Sequence, residues 1–139
     1  MTTSRYVFDA NAILDFVEAG PGFGTVERLL AEALHRRKSI AISTMNWGEV
    51  FYFLWTHRGE DRARKVIATL APLPISIVPV DLAQALMAAE IKAVHKIPYV
   101  DCVAAALAQL SQSTLVTSDR DFEKLGRRVP VLWLARSKE

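Results

Sequence analysis

Short apolar runs alternate with helix-spaced segments along this chain, and that alternation leaves few folds open. Strands are predicted over residues 5–9, 39–43, 75–80, 114–118 and 129–134. Helices are predicted between them. Residues 10–19 carry Ile13, Leu14, Phe16 and Val17 at helical spacing and stop at Gly20-Pro21. Residues 25–37 place Val26, Leu29, Leu30, Ala33 and Leu34 on one face. A third helix, capped by Thr44 or Asn46, runs through Glu49 to about His57 and ends near Gly59. Residues 61–70 form a fourth, closed by Pro72 and Pro74, and Asp81 caps a long fifth through Ile91. An Ala-rich helix follows over 99–110, then a short one over 122–125. Strands joined by helices run parallel, so the expected fold is α/β: a mostly parallel sheet with helices on both faces. Pro79 marks the third strand as an edge strand or a strand end.

A chain of 139 residues fits one compact domain, 1–139, around one core. Its 51% apolar and 23% charged residues place it among globular sequences rather than disordered ones. The single cysteine, Cys102, excludes an internal disulfide framework and fits a reducing compartment. Arg5 and Asp9 interrupt the start before a signal-peptide core can form. The longest uncharged stretch, residues 66–80, carries three prolines and falls short of the ~20 residues a spanning helix needs. A soluble, cytoplasmic protein without a membrane anchor is expected.

Ligands of parallel α/β sheets bind outside the carboxyl ends of the strands. Here those ends read Phe8-Asp9, Ile42-Ser43 and Thr117-Ser118-Asp119. Acids therefore gather where the fold rule places a site. Two more lie in apolar surroundings: Glu49, just before Val50-Phe51-Tyr52-Phe53-Leu54-Trp55, and Asp101, which opens the near-chargeless stretch 102–110. A carboxylate among apolar side chains is costly unless it is paired, neutralised or bound to metal. No Lys or Arg stands at helical spacing from Glu49 or Asp101. Brought together, such carboxylates make a cage of hard oxygen ligands that suits Mg²⁺ or Mn²⁺.

Each of these residues also has a plainer use. Asp9, near Asn11, is a good helix N-cap. Asp101 in a first turn meets the positive end of a helix dipole. Of Asp119 and Asp121, one would bind metal while the other caps the helix starting at Phe122; Asp119, directly at the strand end, is expected at the metal and Asp121, two residues into the turn, at the cap, and Arg120 could pair with either. Hydroxyls at Ser43, Thr117 and Ser118 usually satisfy backbone. Cys102 reads as a small core residue, and His35, His57 and His95 as solvated helix ends rather than zinc ligands. The aromatic excess around Phe51, Tyr52 and Trp55 points to a face covered by another chain. The net charge of +2 says little by itself. If the acids gather, the basic clusters at 35–38, at Arg58, Arg62, Arg64 and Lys65, at Lys92 and Lys96, and at Arg127-Arg128 would form a positive rim suited to a polyanion, or simply solvated helix ends.

Four segments together resemble a known family. Phe8-Asp9-Ala10-Asn11-Ala12-Ile13-Leu14, Trp47-Gly48-Glu49-Val50, the segment 99–106 opening Tyr99-Val100-Asp101-Cys102, and Leu115-Val116-Thr117-Ser118-Asp119-Arg120-Asp121-Phe122 are similar, in order and spacing, to the acidic motifs of PIN-domain nucleases. The small single-domain form resembles the VapC-type toxins of toxin–antitoxin pairs. Gly48 departs from the other small residues common at its position, which touches nothing catalytic. The resemblance implies a three-layer α/β/α sandwich. It implies Asp9, Glu49, Asp101 and Asp119 as the catalytic and metal-binding residues around one or two Mg²⁺ or Mn²⁺ ions, with Asn11, Thr117 and Asp121 in support. It further implies cleavage of RNA, a homodimer, and inhibition by an antitoxin whose tail enters the site. Two rivals are a receiver domain, for which paired N-terminal acids and a late Lys are not evident, and a non-catalytic PIN-like scaffold, which would be expected to lack some of these acids.

Overall fold

The structure, a computed structural model, describes residues 4–136. Its strands are β1 (Ser4–Phe8), β2 (Lys38–Ser43), β3 (Ser76–Val78), β4 (Thr114–Thr117) and β5 (Val131–Trp133). They form one sheet in the order β3-β2-β1-β4-β5, and every neighbouring pair is parallel. The helices are α1 (Ala10–Val17), α2 (Phe23–Leu34), α3 (Thr44–Arg58), α4 (Glu60–Leu70), α5 (Leu82–His95) and α6 (Tyr99–Leu110), with a 3-10 helix at Arg120–Leu125. The expected α/β fold is what the chain adopts.

Alternation along the strands divides the core in two. Phe8, Ile42 and Val116 face α1 to α4, where Ile13, Leu29, Leu54 and Val66 are buried against them. Val7 and Leu115 face the other way, toward α5, α6 and the 3-10 helix, with Ile91, Val103 and Phe122. Helix α6 is buried from Asp101 to Ala108. Its alanines let it lie close to the sheet while α5 packs on its other side. The helices cover both faces, giving the three-layer sandwich.

The ends of the sheet follow the sequence. β3 is only three residues long, stops before Pro79 and lies at one edge, as a strand meeting proline should. Helix α3 ends at Gly59, whose φ of 91° is open to glycine and awkward for other residues. Asp81 caps α5 by accepting from the Gln84 amide. One cap differs from expectation. Ser43, not Thr44 or Asn46, caps α3, because its Oγ accepts from the Asn46 amide at 3.0 Å. No helix among the described residues is long and apolar enough to cross a membrane.

The strand order carries a consequence for chemistry. From β1 the chain first builds outward through β2 and β3, then returns to place β4 on the other side of β1. The crevice of such a sheet opens at this reversal, between the carboxyl ends of β1 and β4. Asp9 follows the first of these strands and Asp119 lies just past the second.

Candidate active site

Asp9 is 2% exposed and makes two strong contacts. One carboxylate oxygen caps α1 by accepting from the Ala12 amide at 3.0 Å. The other accepts a hydrogen bond from the Thr117 hydroxyl. The same hydroxyl oxygen accepts from the Asp119 amide at 2.9 Å. Thr117 thus ties the end of β1 to the turn after β4, and its strand-end hydroxyl does more than satisfy backbone. Asp119 in turn caps the 3-10 helix, its Oδ1 accepting from the Asp121 amide at 2.9 Å.

Asp101 enters from the first turn of α6. One carboxylate oxygen from each of Asp101, Asp119 and Asp121 lies within 4.8 Å of the other two. Glu49, half-buried on α3, is close enough for its charge to raise the proton affinity of both Asp9 and Asp101. Helices α3 and α6 are tied together above the sheet by Asn46. Its Nδ2 donates to Ser43 Oγ at 2.8 Å and to the Val100 carbonyl at 3.4 Å, beside Asp101. Asn46 is 1% exposed and positions both acid-bearing helices. The sequence hints at it only as a possible cap, since its partner Val100 lies 54 residues away.

No counter-charge is supplied. The ion pairs among the described residues are Lys38–Glu32, Arg58–Glu18, Arg64–Glu60, Arg120–Glu123 and Arg128–Glu90, and none includes a cluster acid. Burial is accordingly the largest cause of the acids' shifts. It holds Asp9 at about 7 against its ordinary 3.8, with hydrogen bonds from Thr117 and Ala12 opposing and the charges of Asp119 and Glu49 adding. Asp101 is raised to about 8, by burial first and then by Asp119, Asp9 and Glu49. Glu49 is raised by burial and by Asp119.

Three expectations are corrected here, on Asp121, on Arg120 and on the basic cluster 35–38. Asp121 does not cap the helix. Asp119 does, the helix begins at Arg120, and the Asp121 carboxyl is free to join the cluster. Arg120 pairs with neither aspartate; it lies 3.8 Å from Glu123 and over the Trp133 ring. Asn11 hydrogen-bonds to none of these groups among the described residues. The cluster 35–38 is not on a rim around the acids, because Lys38 starts β2 and so lies at the opposite, amino edge of the sheet. Cys102 is a buried core residue whose thiol faces the Ile97 carbonyl.

Asp101, Asp119 and Asp121 stand within reach of one another, Asp9 and Glu49 are close enough to act on them electrostatically, and hard oxygen donors of this kind suit a divalent metal ion. The fold and this site define a class. The PIN domain family matches residues 6–128, and the chain belongs to it. Among solved structures the chain is similar to VapBC2 from Rickettsia felis bound to a promoter DNA fragment, at 17% identity and a TM-score of 0.74 over 94% of this chain and 99% of that one. It is similar to VapC20 from Mycobacterium tuberculosis, described as a sarcin–ricin loop cleaving toxin, at 20% identity and a TM-score of 0.70 over 87% and 95%. FitAcB from Neisseria gonorrhoeae matches at 20% identity and a TM-score of 0.69 over 91% and 96%. No curated protein matches the chain.

Proposed function

We propose that this PIN domain is a metal-dependent endoribonuclease and the toxin of a toxin–antitoxin pair. The observation that carries the reading is the convergence of Asp101, Asp119 and Asp121, with Asp9 and Glu49 in electrostatic reach and no ion pair to any of them among the described residues, at the reversal point of the sheet. Asp9, Glu49, Asp101 and Asp119 would hold Mg²⁺ or Mn²⁺, with Asp121 completing the set. Such an ion, when bound, lowers the pKa of a water and stabilises charge on the phosphate oxygens.

The chain's own residues set the stage for that chemistry. Thr117 fixes one Asp9 oxygen and, through the Asp119 amide, the turn that carries two further acids. Asn46 fixes α3 against α6 and so sets the separation of Glu49 from Asp101. Asp9 and Asp101, raised to about 7 and 8, hold protons near neutral pH that they must release to a cation. No histidine stands in the cluster, so proton transfer falls to carboxylates and water.

RNA as substrate is supported by the like fold of a toxin described as cleaving the sarcin–ricin loop. An antitoxin partner is supported by solved structures of like fold that are described as a toxin–antitoxin complex and as a member of the VapBC family of toxin–antitoxin systems. A homodimer is supported by α5, where Leu82 is 73% and Leu86 63% exposed one turn apart. A second bare apolar face is that of Tyr52 and Trp55 on α3, with Arg64 over the Trp55 ring, and it offers a seat for an antitoxin helix. A cytoplasmic setting agrees with a free, buried Cys102.

The test is cleavage of RNA by the purified chain with Mg²⁺ or Mn²⁺, with chelator, and by Asp9→Asn and Asp101→Asn. Cleavage that needs the ion and is lost in both variants is expected. Full activity of either variant, with contaminating nuclease excluded, would sink the reading.

A further inference from the structure

Trp133 ends β5 in register with Thr117, the residue whose hydroxyl holds Asp9. Residues in register on parallel strands present their side chains to one face of the sheet. That face is the α6 side, since Leu115 and Val131, each two residues earlier, pack there with Cys102 and Phe122. The indole therefore borders the acidic site along the free edge of the sheet. The Arg120 guanidinium lies 4.4 Å from its ring centroid and is steadied by Glu123.

The same indole lines an open cavity of about 470 Å³, together with Phe122, Glu123, Arg127, Pro130 and Val131. Small-ligand sites span roughly 300–1,000 Å³. The lining combines a flat aromatic ring, apolar walls, one acceptor carboxylate, and Arg127, which is exposed and makes no ion pair among the described residues. An aromatic platform beside an unpaired cation is how proteins hold single-stranded nucleic acid: the base stacks, and the cation meets the phosphate.

We propose that this cavity is a nucleobase subsite, in which an unpaired base of the RNA strand next to the cleaved phosphate stacks on Trp133 while Arg127 meets the adjoining phosphate. The proposal rests on the ribonuclease reading above. Arg120 lies over the indole and is not part of the cavity wall. Glu123 can accept from an exocyclic amine, which would favour bases that carry one.

The test is steady-state cleavage of a short single-stranded oligoribonucleotide by the parent, Trp133→Leu, Trp133→Phe and Arg127→Ala, with Mn²⁺ at several salt concentrations. Trp133→Leu keeps apolar volume but removes the ring. Its KM is expected to rise roughly 5- to 150-fold, the range that loss of one stacked base gives. Its kcat should stay within about threefold, as for an interaction made equally in ground and transition states. Trp133→Phe should keep most of the parent's affinity, and Arg127→Ala should flatten the dependence of log KM on log salt by about 0.7, one phosphate contact on a single strand. A parent that cleaves no RNA overturns the ribonuclease reading and the subsite with it. A parent that cleaves, with KM unchanged in Trp133→Leu or equally raised in Trp133→Phe, overturns the subsite alone.

Discussion

At the scale of single residues, Thr117 is the most economical device in the site. One hydroxyl donates to Asp9 and accepts from the Asp119 amide, so one side chain sets the positions of two acids. Thr117→Val keeps the shape and removes both bonds. A loss of about 10- to 100-fold in activity or metal affinity is expected, typical for groups that orient metal ligands, and Thr117→Ser should restore most of it. Equal activity in Thr117→Val and parent would contradict this role. The acids themselves give a pH signature in the absence of divalent ions. Asp9 and Asp101 bind protons more tightly folded than unfolded, so the stability they lend is complete below their ordinary 3.8 and is lost as pH rises toward about 7 and 8. The melting temperature in chelator should fall across that window. Asp101→Asn should melt higher than the parent at pH 9, where the parent's carboxylate is charged, and near it at pH 6; a lower melting temperature at pH 9 would mean that Asp101 is instead paired or a needed cap. Asp121 now stands beside Asp119 in the cluster, so Asp121→Asn should cost activity on the same order as Asp119→Asn. Asn caps about as well as Asp, so neither change should disturb the 3-10 helix much. Side-by-side rates at saturating Mn²⁺ decide it, and parent-like activity of Asp121→Asn would return that residue to a bystander.

At the scale of elements, the sequence was legible wherever a local pattern decides the outcome. The strand-then-acid pattern at Phe8-Asp9 sufficed for both the end of β1 and the cap of α1, and Asp81 was readable as a cap in the same way. The cap of α3 was not, because Ser43, Thr44 and Asn46 are all suitable residue types. The choice falls to tertiary structure: Ser43 is fully buried, and Asn46 is drawn toward Val100 on a distant helix. Between Asp119 and Asp121 the residue types do not decide, because either can cap; the expectation that Asp121 would do so fails, and only the turn after β4 shows that Asp119 does. The basic cluster at 35–38 was misplaced since sequence does not show which edge of a sheet a loop will join. Exposed apolar faces on α5 and α3 remain to be covered. Leu86→Glu on α5 should shift a dimer toward monomer in sedimentation, while Trp55→Glu on α3 should weaken antitoxin binding and leave the dimer alone. A parent that is monomeric at high concentration would contradict the first expectation, and unaltered antitoxin affinity in Trp55→Glu the second.

At the scale of the whole molecule, sheet order and charge tell one story. The return of the chain to β4 opens the crevice, and β1, α3, α6 and the turn after β4 each deliver an acid there. The arrangement is costly while unfilled, because the acids are buried and repel one another. A ligand that binds only the folded state offsets that cost. The measurement that tests this most directly is calorimetric titration of the folded protein with Mn²⁺ at pH 7, in two buffers of different ionisation enthalpy. The expected result is saturable binding accompanied by proton release, as the raised acids give up their protons, and marked weakening in Asp101→Asn. No binding, or binding of equal strength to parent and Asp101→Asn, would contradict the claim that these carboxylates are gathered to hold a divalent cation.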